Sequence, residues 1–401
     1  MIYREAAKYL DDGAGTLRNR IYNSNGKQQN LKQLKQVYAL VSEALKYRTA
    51  ITQIIAASQM MKVERRMNAN VALVMVYDLL FGQKRLNCGR CPEKEAVLRH
   101  KTRLNAELVK YRLKNPKLTD EREDEVPVRW IRDNSGSDAV HKMFKRLGLT
   151  EVGTWAKVGL KNWYRDTIIP DLYAIHPSIS MAKLPEYAKG EIIVQDRASC
   201  IPVTIMAPRA DGVYIDSCAA PGNKTSQLAA KARKVYAFER DPKRTKTLEK
   251  MLATARLASN VEVKVQDFLQ FPVLDEPIAG LIVDPSCSGS GIFRATTASK
   301  ERLTSLGEFQ YLIMLHALQF DAEKVVYSTC SIHAEEDEHV VKRLLETPEV
   351  ASKWQLAPQE RALPNWPRRG IDGLDGCIRV EPRTDGGIGF FAACFERRPA
   401  E

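Results

Sequence analysis

The sequence predicts an α/β protein with a doubly wound domain over residues 201–401, a basic helical domain over 1–119, and between them a linker and small α/β subdomain over 120–200. Three observations lead there. Short apolar runs at Val213-Tyr214-Ile215, Lys234-Val235-Tyr236-Ala237-Phe238, Val261-Glu262-Val263-Lys264-Val265, Gly280-Leu281-Ile282-Val283 and Lys324-Val325-Val326-Tyr327 are separated by helical stretches, the pattern of a buried parallel sheet. These runs lead into loops rich in acids, small residues or thiols, as expected where an open sheet forms a ligand crevice. The charge is also uneven. Net charge is +12 over 401 residues, yet residues 1–117 hold 23 Lys and Arg against 9 Asp and Glu, leaving 38 against 40 for the remainder.

The N-terminal third is expected to be helical. Leu34, Val37, Val41 and Ala44 recur at helical spacing, and Ile51, Ile54, Ile55 and Ser58 continue the period. Val97, Leu104, Leu108 and Tyr111 form the apolar stripe of a further helix whose other face carries Arg99, Lys101, Arg103, Lys110, Arg112 and Lys114. The stripe by itself speaks only of packing. The basic face, beside a nearly neutral remainder, is the electrostatic pattern of a polyanion-binding module. Asp120-Glu121-Arg122-Glu123-Asp124-Glu125 lacks an apolar anchor and reads as a linker. After it, Val126 to Ile131 and Ile192-Ile193-Val194 read as strands and His141 to Leu147 as a basic helix.

No apolar run is long enough to span a bilayer, and Met1-Ile2-Tyr3-Arg4-Glu5 lacks the layout of a secretory signal. Eight cysteines in so long a chain then argue for a reducing compartment and free thiols. Cys88-Gly89-Arg90-Cys91 is an isolated CxxC with no partner pair, so no metal site is expected. Cys200, Cys377 and Cys394 read as core.

The first strand of the doubly wound region runs into Asp216-Ser217-Cys218-Ala219-Ala220-Pro221-Gly222-Asn223-Lys224-Thr225 and then a helix from Ser226 to Lys231. Small residues there let backbone approach a ligand. The loop is neither GxGxxG nor GxxxxGK[ST], which argues against a dinucleotide or triphosphate site. Glu239 ends the second strand where a ribose partner belongs, and Asp267 follows the third, within reach of an adenine amino group. Either acid taken alone could equally cap a helix. Cys287, in Asp284-Pro285-Ser286-Cys287, and Cys330, in Ser328-Thr329-Cys330-Ser331, each follow a strand, so both sulfurs are expected in one crevice as a site of covalent chemistry. Spacing does not decide their roles. Glu335-Glu336-Asp337-Glu338, flanked by His333 and His339, suits a helix N-terminus and is given no catalytic part.

The segments Cys218 to Thr225, Asp284-Pro285-Ser286-Cys287-Ser288-Gly289-Ser290-Gly291 and Ser328-Thr329-Cys330-Ser331 together resemble the Nop/Sun-domain (NSUN, RsmB-like) RNA cytosine-5 methyltransferases. Gln195-Asp196-Arg197-Ala198-Ser199-Cys200, Asn223 and Leu363-Pro364-Asn365-Trp366-Pro367-Arg368-Arg369-Gly370 resemble the branch of the fifth NSUN member and its fungal counterpart, which methylate large-subunit ribosomal RNA. The resemblance implies a class I (Rossmann-like) S-adenosyl-L-methionine-dependent methyltransferase domain with a helical N-terminal RNA-binding domain. It implies 5-methylcytosine formation through a cysteine adduct at carbon 6, with Cys330 as nucleophile and Cys287 releasing the product. In DNA cytosine-5 methyltransferases the nucleophile instead lies in a Pro-Cys motif. Asp284 is expected on the base edge, with Lys224 holding the base or Asp284. The expected cofactor set is Cys218, Ala219, Ala220, Pro221, Gly222, Asn223, Lys224, Glu239, Asp267 and Asp284, with Arg244 added by the resemblance. The implied partner is large-subunit ribosomal RNA, free or in preribosomal particles, with no membrane; the chain is expected to be a monomer in the nucleus and nucleolus. Arg129-Trp130-Ile131 stands where the family has Arg-x-Asn. Two other readings are a DNA cytosine-5 methyltransferase, which would need a large target-recognition domain, and an RNA-binding ribosome-assembly factor, against which the intact Asp284, Cys287 and Cys330 argue.

Overall fold

The computed structural model describes residues 2–11, 17–23, 31–115, 128–136, 138–274, 276–292, 298–382 and 384–399. The acidic run at 120–125, read above as a linker, lies outside them. The chain forms two compact units, Met1–Glu123 and Asp124–Glu401. No helix among the described residues is long and apolar enough to cross a membrane.

The first unit is helical. Its centre is the helix Ala69–Leu80, in which every residue from Val71 to Leu80 is buried. Asn68 caps it by accepting hydrogen bonds from the backbone N–H groups of Asn70 and Val71. Around it pack Ile2–Ala7, Leu31–Lys46 and Arg48–Ser58. The apolar period from Leu34 to Ser58 is thus two helices, broken at Tyr47, and not one. Val97 and Leu104 likewise sit on separate helices, Pro92–Arg99 and Lys101–Lys114. On the latter, Leu104 and Leu108 are buried while Lys101, Arg103, Lys110, Arg112 and Lys114 are exposed.

The second unit holds two sheets. In the smaller, strands β1 (Arg129–Asp133), β2 (Thr150–Glu151), β3 (Asn162–Arg165), β4 (Leu172–Ile175) and β5 (Ile192–Val194) lie in the order β2-β3-β4-β1-β5, mostly antiparallel. Helix Ala139–Arg146 buries Val140, Met143 and Phe144, and Phe144 stacks on Trp163 at 4.4 Å. An Arg-x-Asn spacing occurs at Arg132-Asp133-Asn134. Arg132 donates to Gln195 Oε1 and Ser226 Oγ, and Asn134 to the carbonyls of Gly190 and Ala255. Arg197 forms a buried ion pair with Asp166 at 2.5 Å and lies over the rings of Trp130 and Trp366. The Gln195 to Cys200 and Leu363 to Gly370 segments are therefore joined by one buried guanidinium.

The larger sheet comprises β6 (Val213–Asp216), β7 (Lys234–Phe238), β8 (Val261–Lys264), β9 (Gly280–Val283), β10 (Lys324–Thr329), β11 (Trp354–Leu356), β12 (Ile378–Val380) and β13 (Phe390–Arg397). Its order is β11-β13-β10-β9-β6-β7-β8, with β12 paired to β13. Pairings from β10 through β9, β6 and β7 to β8 are parallel. β13 is antiparallel and lies between β10 and β11. The chain steps outward through β7 and β8 and then returns to place β9 on the other side of β6. That reversal opens a crevice beyond the carboxyl ends of β6 and β9.

Candidate active site

The crevice is a cavity of about 330 Å³ lined by the loops after β6, β7, β9 and β10. Of the residues expected there, Cys218, Ala220, Glu239, Arg244, Asp267, Asp284, Cys287 and Cys330 line it. Ala219 is buried, and Pro221 and Asn223 instead face a neighbouring groove beside Tyr187 and Met251. Gly222 takes φ +111°, a left-handed turn that leads directly into helix Asn223–Ala229. The helix therefore begins three residues earlier than read from sequence.

One end of the cavity carries carboxylates. Glu239, 4% exposed, accepts from Asp241 N at 2.9 Å and pairs with Arg244 at 3.1 Å. Arg244 also donates to the Ala220 carbonyl, tying the β6 loop to the helix after β7. Asp267 accepts from Leu269 N, so it both caps a short turn and faces the cavity. Phe238, Phe268 and Ile313 supply apolar wall. Cys218 has its thiol pushed up to about 12 by burial, which leaves it inert there.

The other end carries the thiols. Cys287 Sγ and Cys330 Sγ stand 2.8 Å apart. Asp284 accepts from Lys224 Nζ at 2.8 Å on one oxygen and from Ser328 Oγ at 2.6 Å on the other. Lys224 also donates to Ser199 Oγ and lies over the Phe390 ring. Burial alone would lower the Lys224 pKa, but the Asp284 charge and hydrogen bond raise it, so the ammonium persists. The Cys330 thiol is held below its ordinary value, chiefly by the hydrogen bond from Cys287 and also by Lys224, against burial and the Asp284 charge. Cys287 is pushed far up by its bond to Cys330 and by burial. The two sulfurs are close enough to share a proton, and these opposite directions make Cys330 the more readily ionised of the two.

Ser199 and Ser328 hold Lys224 and Asp284, and Gln310 and Glu336 hold the two cysteine loops; the sequence showed Ser199, Ser328 and Glu336 only as parts of longer segments and Gln310 not at all. Glu336, Asp337 and Glu338 are all buried. Their helix starts only at Glu338, and Asp337 makes no side-chain cap. The acids do not serve the helix terminus because each has closer donors: Glu336 binds the two cysteine loops, Asp337 accepts from Thr329 Oγ1, and Glu338 pairs with Arg379.

The parallel sheet with antiparallel β13 set beside β10, and two thiols at the switch-point crevice, define a class I methyltransferase with paired cysteines. Residues 35–126 match the family model for the NOL1/NOP2/Sun domain family member 5 N-terminal domain, and residues 203–396 match that for 16S rRNA methyltransferase RsmB/F. The 25S rRNA (cytosine-C(5))-methyltransferase rcm1 of Schizosaccharomyces pombe is 39% identical over 98% of this chain and 90% of its own length. The 28S rRNA (cytosine-C(5))-methyltransferase of Mus musculus is 35% identical over 99% of this chain and 91% of its own. Among solved structures, NSun6 from Pyrococcus horikoshii superposes with a TM-score of 0.58 at 16% identity, covering 81% of this chain and 97% of that one. The chain belongs to the NOL1/NOP2/Sun methyltransferase family, in its member-5 branch.

Proposed function

We propose that this protein forms 5-methylcytosine in large-subunit ribosomal RNA, using S-adenosyl-L-methionine. The observation that carries this reading is the pair of sulfurs 2.8 Å apart at the cavity end, beside the Asp284–Lys224 pair. Carbon 5 of cytosine is a poor nucleophile until a thiolate adds to carbon 6. Cys330, the more readily ionised of the pair, makes that bond as its thiolate, and the ring electrons move to carbon 5. Asp284 meets the base edge and polarises the ring during addition, while Lys224 and Ser328 fix the carboxylate. When bound, S-adenosyl-L-methionine supplies the electrophilic methyl group that carbon 5 takes up. Cys287, having by then lost its own thiol proton to solvent, removes the proton from carbon 5, and the returning electron pair expels Cys330 as thiolate.

The carboxylate end of the cavity suits the methyl donor. On this reading Glu239 takes the ribose hydroxyls and Asp267 the adenine amino group, with Phe238, Phe268 and Ile313, which line the same cavity, against the ring. Arg244 sets Glu239 and the β6 loop backbone. The exposed lysines and arginines of Lys101–Lys114 give the N-terminal unit its RNA-binding face. The relatives are named for 25S and 28S rRNA, which supports ribosomal RNA as substrate and a nucleolar site of action; the same reading takes the enzyme as a monomer working on free rRNA or preribosomal particles. Bisulfite sequencing of large-subunit rRNA with and without the gene tests the reading. A cytosine protected only when the gene is present supports it, and identical protection patterns refute it.

A further inference from the structure

Glu336 is fully buried and engaged away from the helix it precedes. Its Oε1 accepts from Ser288 N at 2.8 Å and Gln310 Nε2 at 3.0 Å, and its Oε2 from Ser288 Oγ at 2.5 Å and Ser331 Oγ at 2.6 Å. Ser288 follows Cys287, and Ser331 follows Cys330. One carboxylate therefore grips the residue after each thiol. Gln310 Nε2 closes the frame by also donating to the carbonyl of Ser286, which precedes Cys287. Tyr327, on β10, donates to the Glu336 carbonyl and anchors the backbone beneath. Four donors converge on two oxygens, a demand that an ionised carboxylate meets without reorienting any of them. Glu336 does not line the cavity, so it acts through the thiols and not on substrate.

We propose that Glu336 is a positioning residue that sets the separation of Cys287 and Cys330 by holding the two loops that carry them. The inference rests on the two-thiol reaction proposed above. A proton shared over 2.8 Å is lost when the loops part by about an ångström, and misplacement on that scale costs about 100-fold in rate.

The test uses full-length protein and two readouts. The first is alkylation of Cys330 by iodoacetamide across pH, followed by mass spectrometry without RNA. The second is steady-state methylation of an rRNA transcript. Glu336→Ala should raise the pH of half-maximal Cys330 alkylation and lower kcat about 100-fold, with KM for RNA and S-adenosyl-L-methionine affinity little changed. Glu336→Gln should keep the alkylation profile and stay within about tenfold of wild-type kcat, because the two serine hydroxyls can rotate to accept from the amide. Should Glu336→Ala fail to fold, Gln310→Ala should move the alkylation profile the same way by less. An unchanged profile in a folded Glu336→Ala or Gln310→Ala protein overturns the proposal. So does a fall in the alkylation pH in Glu336→Ala and Glu336→Gln alike, which would make Glu336 a source of charge alone. Wild-type protein that never methylates rRNA would instead refute the proposed function, while the alkylation arm still reads Glu336.

Discussion

Cys330→Ala and Cys287→Ala each remove one sulfur from a pair 2.8 Å apart, yet they should fail at opposite ends of the reaction. Without Cys330 no bond to carbon 6 forms, so methyl transfer stops with no adduct. Without Cys287 the methylated base stays tethered, so a covalent protein–RNA complex should accumulate on a denaturing gel. A trapped complex with Cys330→Ala only would reverse the assignment. At the donor end, Glu239→Ala removes a charge-assisted partner of the ribose and should weaken S-adenosyl-L-methionine binding by about 1.5–3 kcal/mol in calorimetry. Unchanged affinity would take Glu239 out of the site. Asp216, at the end of β6, gives a pH signature. Burial raises its pKa from 3.8 to about 6, against the hydrogen bond from Thr225. Its contribution to stability is therefore complete below pH 3.8 and lost as pH rises through about 6. Relative to Asp216→Asn, the wild type should lose up to about 3 kcal/mol across that window in denaturant titrations. A constant difference would show that Asp216 ionises freely.

The elements differ in how plainly the sequence announces them. β6, β7, β9 and β10 were legible because strands covered on both faces are largely apolar, whereas β8, an edge strand half-buried along its length, showed through Val261 and Val263 alternating with Glu262 and Lys264. β12, with Arg379 between Ile378 and Val380, is three residues long and carries no such signal. β13 is apolar, but its place between β10 and β11 depends on pairing with a strand some sixty residues earlier, which local sequence does not record. Helix Ala69–Leu80 was passed over because it is apolar on every side and so shows no helical period. At the site, the thiols and the acids after β7 and β8 stood out by residue type and position, while Asp284 and Lys224 came only with the family resemblance. Glu336 did not stand out, since a run of four acids reads as a solvated helix start until Ser288, Ser331 and Gln310 are brought to it in space. The contact between the Cys287 loop and β13 is as hidden and as demanding. Gly291 N donates to the Cys330 carbonyl, and the Gly291 carbonyl accepts from Gly389 N. A Cβ on Gly291 would stand 2.0 Å from the Gly389 carbonyl oxygen. Gly291→Ala should cost about 1–3 kcal/mol of stability and abolish methyl transfer. Wild-type melting and activity would show that the two backbones can part freely.

Across the whole molecule, the positive excess sits in the unit without the thiols. Deleting residues 1–117, which hold 14 more basic than acidic residues, should lower RNA affinity and flatten its dependence on salt, because fewer counterions are released. Donor binding should survive, as every residue lining its cavity lies between Ser217 and Cys330. An unchanged salt slope would make the basic face a solvated surface only. The position of β13 has a consequence for synthesis. It pairs with all six residues of β10, brings Phe390 under Lys224, and bonds Gly389 to the Cys287 loop, yet it follows every other described strand in the chain. A nascent chain that has not yet released Phe390–Arg397 from the ribosome exposes one edge of β10 and lacks the support of both thiol loops. Catalytic competence should thus appear in a single step once Phe390–Arg397 has emerged, with the thiols unable to act on RNA before then.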